Sequence, residues 1–247
     1  MWYNLLSNKK ILCIFVGTIK LIEFMMIENF ISLIGGNRVK RAFDLVVSII
    51  SLILLSPIIL IISILIKLDN HGSVIFKQYR VGKDNKEFII YKFRSMVEDA
   101  PEVATTSLEN PDEYITSIGK FLRKTSLDEL PQLFNIIKGD MSLVGPRPVI
   151  NDINKSEKKL LVLRTKYGIH KLVPGLTGWA QINGRDSISV YRKINLEIEY
   201  MRKQSFLFDL KILFITLFKV FKQEDIINGK ENEVQVSYHS IESKDVM

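Results

Sequence analysis

The hexapeptide Ser126-Leu-Asp-Glu-Leu-Pro131 sets two carboxylates side by side just ahead of a proline. Neighbouring residues on a helix point about 100° apart, so Asp128 and Glu129 do not share a proton as a facing dyad does. Two separate tasks suit them better. Read as a capping box, the segment has Ser126 as N-cap and Glu129 three residues on, but that register drives Pro131 into the carbonyl of Leu127. A helix that starts at Asp128 keeps Pro131 in its tolerant first turn and leaves Asp128 at a positive helix end, beside the place where an anion binds. An Asp that merely caps a helix is the ordinary alternative, and both readings stand at this point.

Cations in stiff segments favour the chemical reading. Arg147 lies between Pro146 and Pro148, which fix the backbone and lower the entropy lost when a guanidinium clamps a phosphate. Arg123, Arg185, Lys92 and Arg94 are further candidates to converge on the same anion, although each alone reads as a solvated surface charge. The chain has no Asp-X-Asp, no Walker A loop and no G-x-G-x-x-G, and its three histidines, His71, His170 and His239, lack metal-ligand spacing. A zinc site or a Ser-His-Asp triad is unsupported.

These residues need a scaffold. Of 247 residues, 47% are hydrophobic, more than an ordinary soluble protein carries, and the length suits one domain plus a membrane segment. The single cysteine, Cys13, permits neither an internal disulfide nor a cysteine zinc site. A net charge of +7 fits an anionic partner, be it nucleic acid, acidic lipid or a phosphorylated small molecule. Ser73–Arg80 and Phe88–Phe93 read as strands of a hairpin around Gly82-Lys-Asp-Asn85. Residues 97–117 read as a polar loop or loose helix, and helical spacing resumes at Ile118 and again from Leu130 to Ile137, stopped by Gly139. Gly145–Pro148 and Pro174–Arg185 read as stiff loops, with helices at 155–167, 188–202 and 206–222.

The membrane signal is the uncharged run Leu45–Ile66, 22 residues long, which as one helix measures roughly 33 Å, enough to cross a bilayer core. Ser56 and Pro57 at its middle predict a bend, and both flanks are basic: Arg38, Lys40 and Arg41 before it, Lys67, Lys77, Arg80 and Lys83 after it. Both ends are therefore drawn to the cytoplasmic side, and a re-entrant hairpin is preferred over a spanning helix. Ile11–Ile34 reads as an amphipathic interfacial helix, Phe206–Lys222 as a helix at the membrane surface or on the core, and residues 223–247 as a disordered tail.

Six segments in order resemble the bacterial sugar transferase family, the monotopic phosphoglycosyl transferases: Lys40-Arg-Ala-Phe-Asp44; the apolar run with Ser56-Pro57; Gly72–Phe76 through Tyr91-Lys-Phe-Arg-Ser-Met96; Ser126–Leu133; Gly139–Pro148; and Pro174–Arg185. The resemblance implies an α/β-associated, helix-rich α+β catalytic domain in the cytosol, with one re-entrant membrane helix and interfacial amphipathic helices. Its division is 1–37 extension, 38–68 membrane helix broken at Ser56-Pro57, 69–222 catalytic domain and 223–247 tail. With only residues 1–37 ahead of that unit, the chain resembles the family's minimal form.

The resemblance further implies a two-step reaction. Asp128 attacks the β-phosphate of a UDP-sugar, expelling UMP, and polyprenyl (undecaprenyl) phosphate then takes the phosphosugar. Glu129 helps hold Mg²⁺ or manage protons, with Asp128 and Glu129 as the metal-ligand candidates, while Arg123, Arg147, Arg185, Lys92 and Arg94 contact phosphates or nucleotide. The implied setting is the cytoplasmic face of the bacterial inner membrane, in polysaccharide or glycoconjugate assembly. A second copy of the chain and downstream glycosyltransferases are candidate protein partners, and no nucleic acid is expected. The competing reading is a non-enzymatic basic membrane adaptor for acidic lipid or nucleic acid. It explains the charge, but not an acid pair together with Pro-Arg-Pro. The sugar is not legible in these residues.

Overall fold

A computed structural model describes residues 38–69, 72–101, 110–150, 155–184 and 188–222. The expected N-terminal amphipathic helix, the tail and Arg185 lie outside the described residues. The elements that matter are helix α1 (Arg38–Asp69), strands β1 (Ile75–Val81) and β2 (Glu87–Phe93), helices α2 (Ser117–Thr125) and α3 (Gln132–Lys138), strands β3 (Ser142–Val144) and β4 (Val149–Ile150), helix α4 (Lys155–Lys166), strand β5 (Gly175–Thr177), and helices α5 (Val190–Lys203) and α6 (Phe206–Lys222).

The hairpin forms where alternation and turn residues place it. β1 and β2 pair antiparallel from Ile75 opposite Phe93 to Val81 opposite Glu87, and β4 adds to the far edge of β1, giving the order β2-β1-β4. β3 and β5 form a separate parallel pair. Two apolar clusters share α1. Leu45 and Leu52 pack with Phe88 and Ile90 of β2 and with Leu133, Ile136 and Ile137 of α3. Ile62 and Ile66 pack with Phe93 and Leu122.

The buried positions of α1, namely Asp44, Leu45, Ser48, Leu52, Ile62 and Ile66, follow helical spacing along one stripe. Much of its remaining surface is exposed yet apolar, including Val46, Ile50, Ile53, Leu54, Ile61 and Leu65. By length and composition α1 is able to cross a membrane, and only 17% of its most apolar window is buried against the protein. Both of its ends are tied to the same domain. Near the first end, Arg41 donates to the carbonyls of Ile136 (2.6 Å) and Ile137 (3.0 Å) in the last turn of α3, adding to the bond that the Gly139 N–H gives Ile136 at 3.1 Å. Asp44 accepts from the Ser142 hydroxyl at 2.7 Å, while Lys40 reaches the Val144 carbonyl at 3.1 Å and forms an ion pair with Asp209 of α6. At the other end, Lys67 donates to the Gly72 carbonyl at 3.1 Å and Asp69 accepts from the backbone of Ile118 at 3.4 Å.

The structure departs from the sequence expectations in three places. The helical backbone of α1 continues through Ser56 and Pro57, so this pair does not end the helix. Pro174–Arg185 is not all loop: it contains β5 and a one-turn helix, Trp179–Ile182, built where pairing with β3 outweighs the local glycine and proline signal. α3 starts at Gln132 rather than Asp128, because Ser126 adopts a left-handed conformation (φ 56°, ψ 16°) that ends α2 and redirects the chain into a 3₁₀ turn, Leu127–Glu129. Ser126 makes no side-chain cap there, so the capping-box reading fails as well.

Candidate active site

That 3₁₀ turn carries Asp128 and Glu129, which are 8% and 9% exposed. Two apolar anchors set it: Leu127 packs on the cluster of Phe93 and Leu122, and Leu130 bridges this cluster to the one beneath α3. A left-handed serine is costly on a backbone scale, and the turn it starts is what carries both carboxylates inward.

Lys92 meets them from β2. It continues the row Phe88 and Ile90 on one face of the strand, and those two residues lie in the core with α3. Its Nζ donates to Glu129 Oε1 at 2.9 Å and stands 3.7 Å from Asp128 Oδ2. Arg147 comes from the other side, with Nη1 and Nη2 at 3.3 and 3.4 Å from the same Glu129 oxygen. Arg123, on the last turn of α2, donates from Nε to Ser95 Oγ at 2.8 Å. Burial pulls the Arg123 guanidinium below its usual pKa, and the charge of Asp128 opposes that shift.

The loop bearing Arg147 is held backbone to backbone. Gly145 N–H donates to the Thr177 carbonyl and Gly175 N–H to the Pro146 carbonyl, each at 2.9 Å. A Cβ on Gly145 would stand 2.3 Å from the Val173 carbonyl oxygen, and one on Gly175 2.0 Å from the Gly145 nitrogen. Only glycine allows the two motif segments, Gly145–Pro148 and Pro174 onward, to close on each other. Rigid prolines then aim Arg147 from that clasp.

Burial raises the pKa of the Asp128 carboxyl above the usual range; Lys92 is the strongest opposing influence, Glu129 adds to the rise, and Arg123 and Arg147 oppose it. A buried carboxylate with three cations around it is a poorly solvated anion, which is what a nucleophile toward phosphorus requires. Among the described residues no group of three or more His, Cys, Asp or Glu forms a ready-made metal cage. Mg²⁺, however, commonly takes one or two carboxylates from a protein and its remaining oxygens from substrate phosphates and water, and the adjacent pair fits that donor set.

Of the predicted site residues, the structure brings Asp128, Glu129, Lys92, Arg123 and Arg147 together. Arg94 instead makes its contacts with Ser73 Oγ (3.0 Å) and Glu98 (3.6 Å). Ser95, which orients Arg123, carries no signal in the sequence that would single it out. The motif Lys40-Arg-Ala-Phe-Asp44 is a clamp between α1 and the domain, and its Asp209 partner, on an apolar helix, is buried and also bound by the Tyr200 hydroxyl at 2.8 Å.

A family model described as "Bacterial sugar transferase" matches residues 36–223. A protein of Escherichia coli (strain K12) named "UDP-glucose:undecaprenyl-phosphate glucose-1-phosphate transferase" is 44% identical over 197 residues, covering 76% of this chain and 41% of that protein. An Aeromonas hydrophila protein named "UDP-N-acetylgalactosamine-undecaprenyl-phosphate N-acetylgalactosaminephosphotransferase" is 37% identical over 183 residues, covering 72% and 43%. The Bacillus subtilis (strain 168) protein "Uncharacterized sugar transferase EpsL" is 43% identical over 188 residues, covering 76% of this chain and 89% of its own length. The chain thus spans less than half the length of the first two relatives. The family match runs from just ahead of α1 to just past α6 and encloses the clamp, the acid pair and the Pro-Arg-Pro clasp; the chain belongs to the bacterial sugar transferase family.

Proposed function

We propose that the chain transfers a sugar 1-phosphate from a UDP-sugar to polyprenyl phosphate through a covalent intermediate on Asp128. The observation that carries this reading is the buried pair Asp128 and Glu129, with Lys92 Nζ 3.7 and 2.9 Å from their carboxylates and Arg147 on Glu129. Placed this way, Glu129 orients two cations while Asp128 keeps an oxygen for attack. In the first step Asp128 forms a bond to the sugar-bearing phosphorus, the bond from that phosphorus to the bridging oxygen breaks, and UMP leaves with that oxygen. In the second an oxygen of the lipid phosphate bonds to the same phosphorus and the Asp128 carboxylate leaves, giving polyprenyl diphosphosugar. Neither step needs an external proton. Lys92, Arg123 and Arg147 screen the approach of one anion to another and bind the oxygens on which charge develops. Asp128 and Glu129 would hold Mg²⁺, which when bound offsets the charge of the diphosphate and the departing UMP.

The membrane side of the reading rests on α1. Its ends are tied to one domain, so a helix with one end outside would break one set of ties; an α1 that dips into the cytoplasmic leaflet and returns keeps both and still covers its exposed apolar face with lipid. This fits a monotopic protein on the cytoplasmic face. An adaptor for acidic lipid or nucleic acid would leave the buried acid pair without a purpose. The sugar stays open, because the relatives are named for glucose and for N-acetylgalactosamine.

The deciding experiment incubates the full chain with Mg²⁺, polyprenyl phosphate and a panel of UDP-sugars and measures UMP release. Enzyme given UDP-sugar alone should show by mass spectrometry a phosphosugar on the peptide that contains Asp128, and Asp128→Asn should release no UMP. Glu129→Gln and Arg147→Ala should each lose at least about tenfold. UMP release only on lipid addition, with no adduct, would instead favour direct transfer in a ternary complex.

A further inference from the structure

Gln132 is 2% exposed, and its Nε2 has no hydrogen-bond partner among the described residues. A buried donor left unpaired is uncommon, because its desolvation is not repaid. One turn further on, Asn135 is just as buried but fully employed: its Nδ2 donates to the Ile89 carbonyl at 2.6 Å and its Oδ1 accepts from the Tyr91 N–H at 3.0 Å, covering the free edge of β2. Asp128 sits on the 3₁₀ turn that runs through Leu130 and Pro131 into α3, Gln132 is the first residue of α3, and Asn135 follows it three residues on along the same helix. Both ends of that segment meet β2, through Asp128 beside Lys92 and Asn135 on Ile89 and Tyr91. Gln132 lies between them in the chain, four residues after Asp128.

What this amide lacks is an acceptor, and the neighbours of Asp128 offer mainly donors: Lys92, Arg123 and Arg147 are all cations. The group that brings fresh acceptor oxygens to Asp128 is the phosphoryl group itself. We infer that Gln132 is a phosphate-binding donor of the site, its Nε2 hydrogen-bonding a non-bridging oxygen of the phosphoryl group transferred at Asp128. The inference deepens the aspartyl reading above and rests on it. The ligand class is the sugar-bearing phosphoryl group of a nucleoside diphosphate sugar. A neutral donor suits an adduct that, as a phosphodiester-like anhydride, carries less charge than the free diphosphate.

Gln132→Met keeps the length and removes the donor, and Gln132→Glu keeps the shape but places an acceptor there. Measured on the full chain in detergent with Mg²⁺, the Met variant should melt at or above the wild-type temperature without ligand, since an unpaid buried donor is gone. It should gain less stabilisation than wild type from added UDP and release UMP in a single turnover at least about tenfold more slowly, with the Glu variant slower still. A Met variant with wild-type UDP stabilisation and wild-type UMP release overturns the inference. So does one that melts lower yet responds to UDP as wild type does, which would assign Gln132 to the core. Should the Met variant not fold, the Glu variant carries the same two readouts. A wild-type enzyme that never forms an adduct overturns the aspartyl reading alone, because stabilisation by UDP requires no adduct and still decides for Gln132.

Discussion

The Ser56 hydroxyl lies 2.8 Å from the carbonyl oxygen of Ile53, the acceptor that Pro57, having no N–H, leaves without its helical donor. Serine before proline thus repairs the defect proline creates. In water the repair is worth little, because solvent can bind the carbonyl; in hydrocarbon no such substitute exists. Ile53 is itself exposed from the protein, so the pairing makes most sense for a helix whose outer face meets lipid.

Ser56→Ala should therefore destabilise the chain by about 1 kcal/mol in a bilayer, the net worth of one hydrogen bond, and Ser56→Thr should restore it. Melting in liposomes against melting in a polar-headed detergent checks the dependence on surroundings. Equal loss in both media would show that lipid has no part in it.

The raised pKa of Asp128 makes a prediction with a definite sign. Folding favours the protonated carboxyl, so its contribution to stability is full below the ordinary carboxylate value and is lost as pH rises through the raised one. In EDTA, Asp128→Asn should melt at or above wild type at neutral pH, and the difference should close as pH falls below the usual carboxylate range. UMP release by the wild type should decline on the acid side at a pH above that range. Lys92→Met removes the strongest influence holding the pKa down, and should move this acid limb to higher pH. An unmoved limb would separate Lys92 from the ionisation of Asp128.

The sequence reveals what is local. The β1–β2 hairpin follows from alternation around Gly82–Asn85, and the residue types of the site stand out because two acids meet a proline and an arginine lies between two. What hides is what depends on distant partners. Lys40 and Arg41 read as flanking charges that set topology, yet they bind carbonyls about a hundred residues away, at Val144, Ile136 and Ile137. Asp209 reads as a polar interruption of an apolar helix and is in fact buried, because Lys40 and Tyr200 reach it. The start of α3 is hidden because nothing in Thr125-Ser126 announces a left-handed serine, a residue type that rarely adopts that conformation. The parallel pairing of β3 with β5 is a long-range contact that glycines and prolines disguise as loop.

Gly145 offers a test of the clasp behind Arg147. In Gly145→Ala the new methyl meets the Val173 carbonyl oxygen at 2.3 Å and has backbone on its other sides, so no flexible side chain can give way. The variant should lose several kcal/mol of stability, in the range of overpacking and strain at a special backbone site, and Arg147 should lose its aim. Ala at Gly168, where no atom lies within 4 Å of the added Cβ but φ is +78°, is the control: it should cost only about 1 kcal/mol. Chemical denaturation of the two variants, beside their UMP release, checks both.

Topology can be read from the ends of α1. Val39 and Leu68 are 70% and 74% exposed, one near each end of the helix, while Lys40–Asp44 and Lys67–Asp69 tie both ends to the domain that carries Asp128. After Cys13→Ser, single cysteines at positions 39 and 68 should both stay unlabelled by a membrane-impermeant thiol reagent in intact cells, and both should react once the membrane is opened. Replacing Ser56 and Pro57 together by Leu restores the helical N–H that Pro57 lacks and removes the proline's tendency to bend the helix, which favours a straight apolar helix of spanning length. Part of that population should then expose one end outside, with UMP release falling in proportion, since an α1 with one end across the bilayer cannot keep Asp44 on Ser142 and Asp69 on Ile118 together. The basic flanks still hold many molecules in the original orientation, so a mixture is expected. External labelling of position 39 or 68 in the unaltered Ser56-Pro57 background would mean that α1 spans the bilayer, and the re-entrant proposal would have to be abandoned.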